Sequence, residues 1–162
     1  MKVFLADMDG TLTDGGKYMN EKGEEMKKFH IPDGMGLVML KKLGIKTGIV
    51  TSETAGIVSV RAQQLGLDFL VTGAKNKLKS VEELCQKSGL AMADIAFIGD
   101  DINDYDLLAA VGYPACPSDA QDLIKTIPKI RVMRCPGGGG AVREFINLLA
   151  GNEALLEAWR RG

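Results

Sequence analysis

Four short apolar runs, at residues 2–6, 45–50, 69–71 and 95–98, each give way to a polar or glycine-containing segment. Runs of that length suit buried strands, and the stretches between them carry helical spacing. Residues 34–43 place Leu37, Val38 and Leu40 behind Asp33 as the N-cap, and residues 54–65, 75–88 and 103–111 read as further helices. Shorter strands are expected at 113–116 and 129–133, and a helix at 141–150 follows four successive glycines at 137–140. Strand and helix alternating at this pitch predict an α/β fold, a parallel sheet with helices on both faces. Residues 15–31 break the alternation. Their turn signals predict a β-hairpin that reverses at 20–23. The 162 residues fit a single domain spanning 1–162, with no composition shift to mark a second. Residues 152–160 form an amphipathic helix expected to dock on a neighbouring molecule.

Twenty Lys and Arg stand against 21 Asp and Glu, a formal net charge of −1. That balance excludes a general nucleic-acid binder and requires any anionic ligand to find its positive partners locally. No apolar run nears the roughly 18 residues needed to span a bilayer. The opening residues reach Asp7 before the apolar centre of a secretory signal forms. Cys85, Cys116 and Cys135 are an odd, scattered set that reads as reduced thiols. A cytoplasmic protein with no membrane or nucleic-acid partner is expected.

Open α/β sheets gather function at the carboxyl ends of their strands. Those ends carry Asp7 and Asp9, then Thr51 and Ser52, then Asp100 and Asp101, with Asp104 close behind. Acidic positions drawn from two strands to one edge repel one another unless a cation intervenes. Mg2+ prefers carboxylate oxygen and recruits phosphate. Asp7 and Asp9, two apart on an extended segment, share a face and can approach one reacting centre. Alone, an Asp-x-Asp-Gly sequence reads as a surface turn. Here it is followed in order by an apolar run ending at Thr51, by Lys77, and by the acidic Gly99–Asp104 segment.

Those four elements in that order resemble the signatures of the haloacid dehalogenase superfamily, and the resemblance covers essentially the whole chain. It implies a Rossmann-like sheet and an Mg2+-dependent phosphatase. By the same resemblance Asp7 attacks phosphorus to form an aspartyl-phosphate, and Asp9 acts as general acid and base. Asp9 can serve as an acid only if neighbouring carboxylates and partial burial favour its proton. Thr51 would bind a phosphoryl oxygen and Lys77 would neutralise charge and hold Asp7. The metal would sit on Asp7, the Asp9 carbonyl and Asp100, with Asp101 and Asp104 orienting Lys77 and the metal's waters. Other phosphatase chemistries fail on inventory. The only histidine, His30, falls on the expected hairpin and is read as an ordinary side chain there. A Cys-x5-Arg loop would need Arg where the chain has Asp122 or Ala141, and no phosphate-binding GxxxxGK[ST] loop exists.

The intervals where this superfamily inserts cap domains hold only the hairpin flap with one helix and strand, and one further helix and strand. The chain thus resembles a capless member. Cover over the site is expected from another subunit, in a homo-oligomer whose hairpins make contact. The DGTLTDGG opening, the 23–29 stretch GEEMKKF, DGMG at 33–36 and GGGGAVRE at 137–144 are similar to the phosphatases of 3-deoxy-ulosonic acid biosynthesis. These act on 3-deoxy-D-manno-octulosonate 8-phosphate (KDO 8-phosphate) or on KDN 9-phosphate and its sialic-acid relatives, in lipopolysaccharide and sialic-acid precursor synthesis. The resemblance implies a homotetramer and a glycine-rich C-terminal tail, within 135–162, that reaches an active site. A flexible linker is the plainer reading of the four glycines.

The resemblance also places Arg61 on the substrate carboxylate, a planar anion that suits its fork. Ser52, Glu53 and Gln64 complete the expected substrate set. Glu53 matches the KDN-type marker and gives the nine-carbon acid a slight edge, while Gln64 stands where that type has Lys. The phosphorylated sugar acid stays open between the two. A phosphoprotein phosphatase, a phosphotransfer receiver module and an inactive regulatory relative are the alternatives. A receiver would carry its phosphorylated Asp near Val71–Gly73, where this chain has none.

Overall fold

The computed structural model describes residues 1–54 and 56–161. Six strands form one wholly parallel sheet: β1 (Val3–Ala6), β4 (Lys46–Val50), β5 (Phe69–Val71), β6 (Ile95–Ile98), β7 (Tyr113–Cys116) and β8 (Arg131–Val132). Their order is β5-β4-β1-β6-β7-β8. β1 is central, with Ala6 registered against Ile49 on one side and Ile98 on the other. β2 (Tyr18–Met19) and β3 (Glu25–Met26) form a separate antiparallel hairpin. Its turn is held by the Asn20 side chain, whose Oδ1 accepts the N–H groups of Lys22 and Glu24, both at 3.0 Å.

The helices are α1 (Ile31–Lys42), α2 (Gly56–Leu65), α3 (Lys77–Ser88), α4 (Tyr105–Ala110), α5 (Asp122–Lys125), α6 (Ala141–Ala150) and α7 (Asn152–Arg160). Strand alternation divides the core between the two faces. Phe4 and Ala6 face α1, α2, α6 and α7, and Val3 and Leu5 face α3 and α4. The Phe4 and Phe145 rings lie 5.5 Å apart on the first face. Burying both faces is what makes the central β1 and β6 continuous apolar runs.

Two local expectations are corrected. Asp33 lies inside the first turn of α1, whose N-cap is His30. Asp33 Oδ1 instead accepts the Arg143 N–H at 2.7 Å, so it satisfies an orphan donor at the start of α6. The helix expected at 54–65 is seen from Gly56, with Thr54 outside it and residue 55 outside the described residues. Helix α7 packs its Leu155 and Ala158 against its own chain, next to α1. Gly36 permits close α1–α6 contact, since a Cβ there would come within 2.9 Å of Ile146 Cδ1.

Candidate active site

Because β4, β1 and β6 are neighbours, their carboxyl ends bring Thr51, Asp7 and Asp100 to one edge. The Asp7 N–H donates to Ile98 O at 2.9 Å, extending the sheet ladder by one step. The chain then winds through Met8–Leu12, with Asp9 extended and Gly10 at φ +86°. A side chain at Gly10 would be strained in that region and its Cβ would overlap the Asp100 carboxylate. Thr11 Oγ1 donates to Asp100 Oδ1 at 2.9 Å, tying the same loop to β6.

Lys77 opens α3 behind the Asn76 cap and is only 1% exposed. Its Nζ lies 2.6 Å from Asp7 Oδ1 and 2.6 Å from Asp104 Oδ1. Asp104 Oδ2 accepts the N–H groups of Asp100 and Asp101 at 3.0 and 3.3 Å. Carboxylate oxygens of Asp7, Asp100 and Asp104 all lie within 4.8 Å of one another. Burial first, then Asp104, raises the Asp7 carboxyl well above its usual range. Burial also lifts Asp100 to about 6. Burial opposes the charge on Lys77, yet Asp7 and Asp104 outweigh it and raise its ammonium. Three acids against one lysine leave this cluster short of positive charge. The residues therefore fit a hard divalent cation.

The other expected residues divide. Thr51 is buried beside the cluster's strands, and its Oγ1 accepts the Glu53 N–H at 3.1 Å. Ser52 and Gln64 are exposed, with no side-chain hydrogen bond among the described residues. Glu53 spends its oxygens on Lys17, at 2.9 Å, and on Lys27, at 3.7 Å. The Lys17 hydrogen bond chiefly holds its carboxyl below the usual range. Arg61 stacks on Phe29, with 4.9 Å from its guanidinium carbon to the ring centroid, and has no acidic partner among the described residues. It lies against Gly34, where a Cβ would come within 2.6 Å of Nη2. Asp101 does not reach Lys77. Its carboxylate accepts the Ile102 N–H at 2.7 Å and caps the following turn, so only Asp104 orients the lysine.

The principal residue that sequence reasoning missed is Lys27. Its side chain is 1% exposed and pairs with Asp9. A cation thus stands beside Asp9, where neighbouring carboxylates were expected. His30 was passed over as well: its Nδ1 lies 3.1 Å from Asp33 Oδ2. The glycines at 137–140 are not a linker. The Gly138 N–H donates to Thr11 O at 2.9 Å, and a Cβ on Gly137 would overlap Gly10 O. They form a close-packed brace behind the Asp9 loop. A cavity of about 660 Å³ lies elsewhere, between β8 and α6, lined by His30, Arg131, Arg134, Arg143 and Glu144. It contains none of the acidic cluster, so charge and geometry, not cavity size, mark the site.

A carboxylate held by lysine and flanked by a cation site can perform phosphoryl transfer. Residues 36–112 match the family model described as haloacid dehalogenase-like hydrolase. The chain belongs to that family and is a phosphatase of its type. It is 37% identical over 150 residues to 3-deoxy-D-manno-octulosonate 8-phosphate phosphatase KdsC of Escherichia coli K12, covering 92% of this chain and 79% of that protein. A hydrolase structure from Legionella pneumophila, described as superfamily subfamily III A, superposes with a TM-score of 0.94 at 31% identity, covering 100% of this chain and 91% of that one. The 3-deoxy-D-manno-octulosonate 8-phosphate phosphatase of Moraxella catarrhalis, in complex with magnesium, phosphate and KDO, superposes at 0.88 with 32% identity. That match covers 98% of this chain and 87% of the other. No helix among the described residues is long and apolar enough to cross a membrane.

Proposed function

We propose that this phosphatase hydrolyses a 3-deoxy-ulosonic acid phosphate, with KDO 8-phosphate the foremost substrate. The observation that carries this is the near-full-length likeness to proteins named for that activity. The acidic cluster supports the mechanism. Asp7 attacks phosphorus, the bond to the leaving oxygen breaks with its electron pair, and Asp9 protonates that oxygen. Water then attacks the aspartyl-phosphate, gives its proton to Asp9, and releases inorganic phosphate and free Asp7. Lys77 offsets charge and holds Asp7, and the Thr51 hydroxyl donates to a phosphoryl oxygen. When bound, Mg2+ would be held by the Asp7 and Asp100 carboxylates and the Asp9 carbonyl, and would supply neutralisation of phosphoryl charge.

Arg61, half-buried on Phe29 and lacking an acidic partner among the described residues, is the group we assign to the substrate carboxylate. Glu53 keeps KDN 9-phosphate as the second substrate to compare, although Lys17 and Lys27 already engage its oxygens. Exposed Tyr18, Met19 and Met26 on the hairpin support a homo-oligomer, a tetramer by the family pattern. Measuring kcat/KM on KDO 8-phosphate, KDN 9-phosphate and a phosphopeptide tests the reading. KDO 8-phosphate should lead, and preference for the phosphopeptide would overturn it. Arg61→Ala should cost about 10-fold or more on the sugar acids and little on an aryl phosphate lacking a carboxylate. Sedimentation as a monomer at micromolar concentration would reject the shared hairpin contact.

A further inference from the structure

Residues Lys27 and Lys28 are adjacent, yet they face opposite ways, as neighbours on an extended segment do. Lys28 is 62% exposed and pairs with Asp14 at 2.8 Å, whereas the Lys27 side chain is 1% exposed. Burying an ammonium is costly unless it is paired. Lys27 meets that cost with Asp9 Oδ1 and, at 3.7 Å, Glu53 Oε2. Glu53 is in turn bound by Lys17, which also reaches Glu25 on β3 at 3.1 Å. A relay of alternating charge therefore runs from the hairpin to the Asp9 loop. Within it, Asp9 Oδ1 is occupied twice, since Thr13 Oγ1 also approaches it at 3.4 Å. Its other oxygen, Oδ2, takes no hydrogen bond among the described residues.

We propose that Lys27 is the positioning residue for Asp9, fixing one carboxylate oxygen so that the other is left to carry the proton. This rests on the reading of Asp9 as general acid and base. In the first step the Oδ2–H bond breaks and its proton goes to the leaving oxygen as the P–O bond breaks with its electron pair. In the second, Oδ2 takes the proton of the attacking water. Lys27 exchanges no proton. It keeps the carboxylate from rotating, and it makes hairpin placement a condition for Asp9 geometry. Misplacing such a group by an ångström costs about 10²-fold.

Leaving-group dependence tests this, because an aryloxide departs without a proton and an alkoxide does not. For Lys27→Met, kcat/KM, which runs only as far as leaving-group departure, should fall about 10²-fold on an alkyl phosphate and less than about fivefold on p-nitrophenyl phosphate. Lys28→Met should leave that ratio unchanged. Lys27→Arg, which keeps a cation beside Asp9, should recover most of the alkyl activity. Equal losses on both substrates, or no loss on the alkyl ester, would overturn the proposal. The retained aryl activity reports folding; should Lys27→Met fail to fold, Lys27→Gln reads the same ratio. Asp9→Asn separates the two readings: if it lacks leaving-group dependence, the acid assignment has failed rather than the role of Lys27.

Discussion

Two aspartates two residues apart are each held through Oδ1 by a lysine, but the lysines belong to different parts of the molecule. Lys77 comes from α3, fully enclosed between Asp7 and Asp104 at 2.6 Å each. Lys27 comes from a hairpin with two-residue strands, and its partners Asp9 and Glu53 keep 31% and 25% side-chain exposure. The first pair is part of the core and the second is a clasp laid over it. The rigid pair suits the nucleophile proposed at Asp7, and the clasp suits the proton carrier proposed at Asp9.

The comparison breaks most readily at Asp7. Asp7→Asn should lower kcat on an aryl phosphate by about 10⁴-fold or more, and retention of most activity would remove the covalent role. Lys77→Met should cost about 3–5 kcal/mol in urea unfolding, because it strands buried Asp7 and Asp104. Lys27→Met should cost about 1–2 kcal/mol, since its partners retain solvent. Equal costs would erase the distinction between core and clasp.

A smaller effect concerns pH. Asp100 titrates at about 6 in the fold against 3.8 ordinarily, so between those values the folded chain binds more protons than the unfolded one. Stability of the metal-free protein should therefore fall as pH rises through 6, by on the order of 2 kcal/mol or about 4–8 °C in Tm. Asp100→Asn should flatten that fall, and millimolar Mg2+ should offset it at pH 8. A wild-type profile matching that of Asp100→Asn would contradict the charge imbalance at the cluster. Smallest of all, Asp101→Ala should cost about 1 kcal/mol as a lost cap and change kcat less than about threefold.

The core half of the site was legible because its signals are local. An apolar run ending in Asp, Thr or Asp places each group at a strand end, and parallel β4-β1-β6 order brings the ends together. The clasp was not legible. A Lys-Lys pair reads as a solvated face, and only the fold-back of the hairpin across 18 positions buries Lys27 against Asp9. Asp33 was misassigned for the opposite reason. A local capping rule named it for α1, while a contact 110 residues away gives it to α6. Asp101 and Asp104 look equivalent in the sequence, and only the turn at Ile102–Asp104 sends one to solvent and the other to Lys77.

The division of labour between the two aspartates is tested most directly by trapping. Asp9→Asn protein, mixed with an aryl phosphate and Mg2+ and quenched in acid within milliseconds, can be mapped by peptide mass spectrometry. Phosphate should accumulate on Asp7, because its formation needs no proton for an aryl leaving group while its hydrolysis lacks a base. Phosphate on another residue, or none on Asp7 while product still forms, would contradict it.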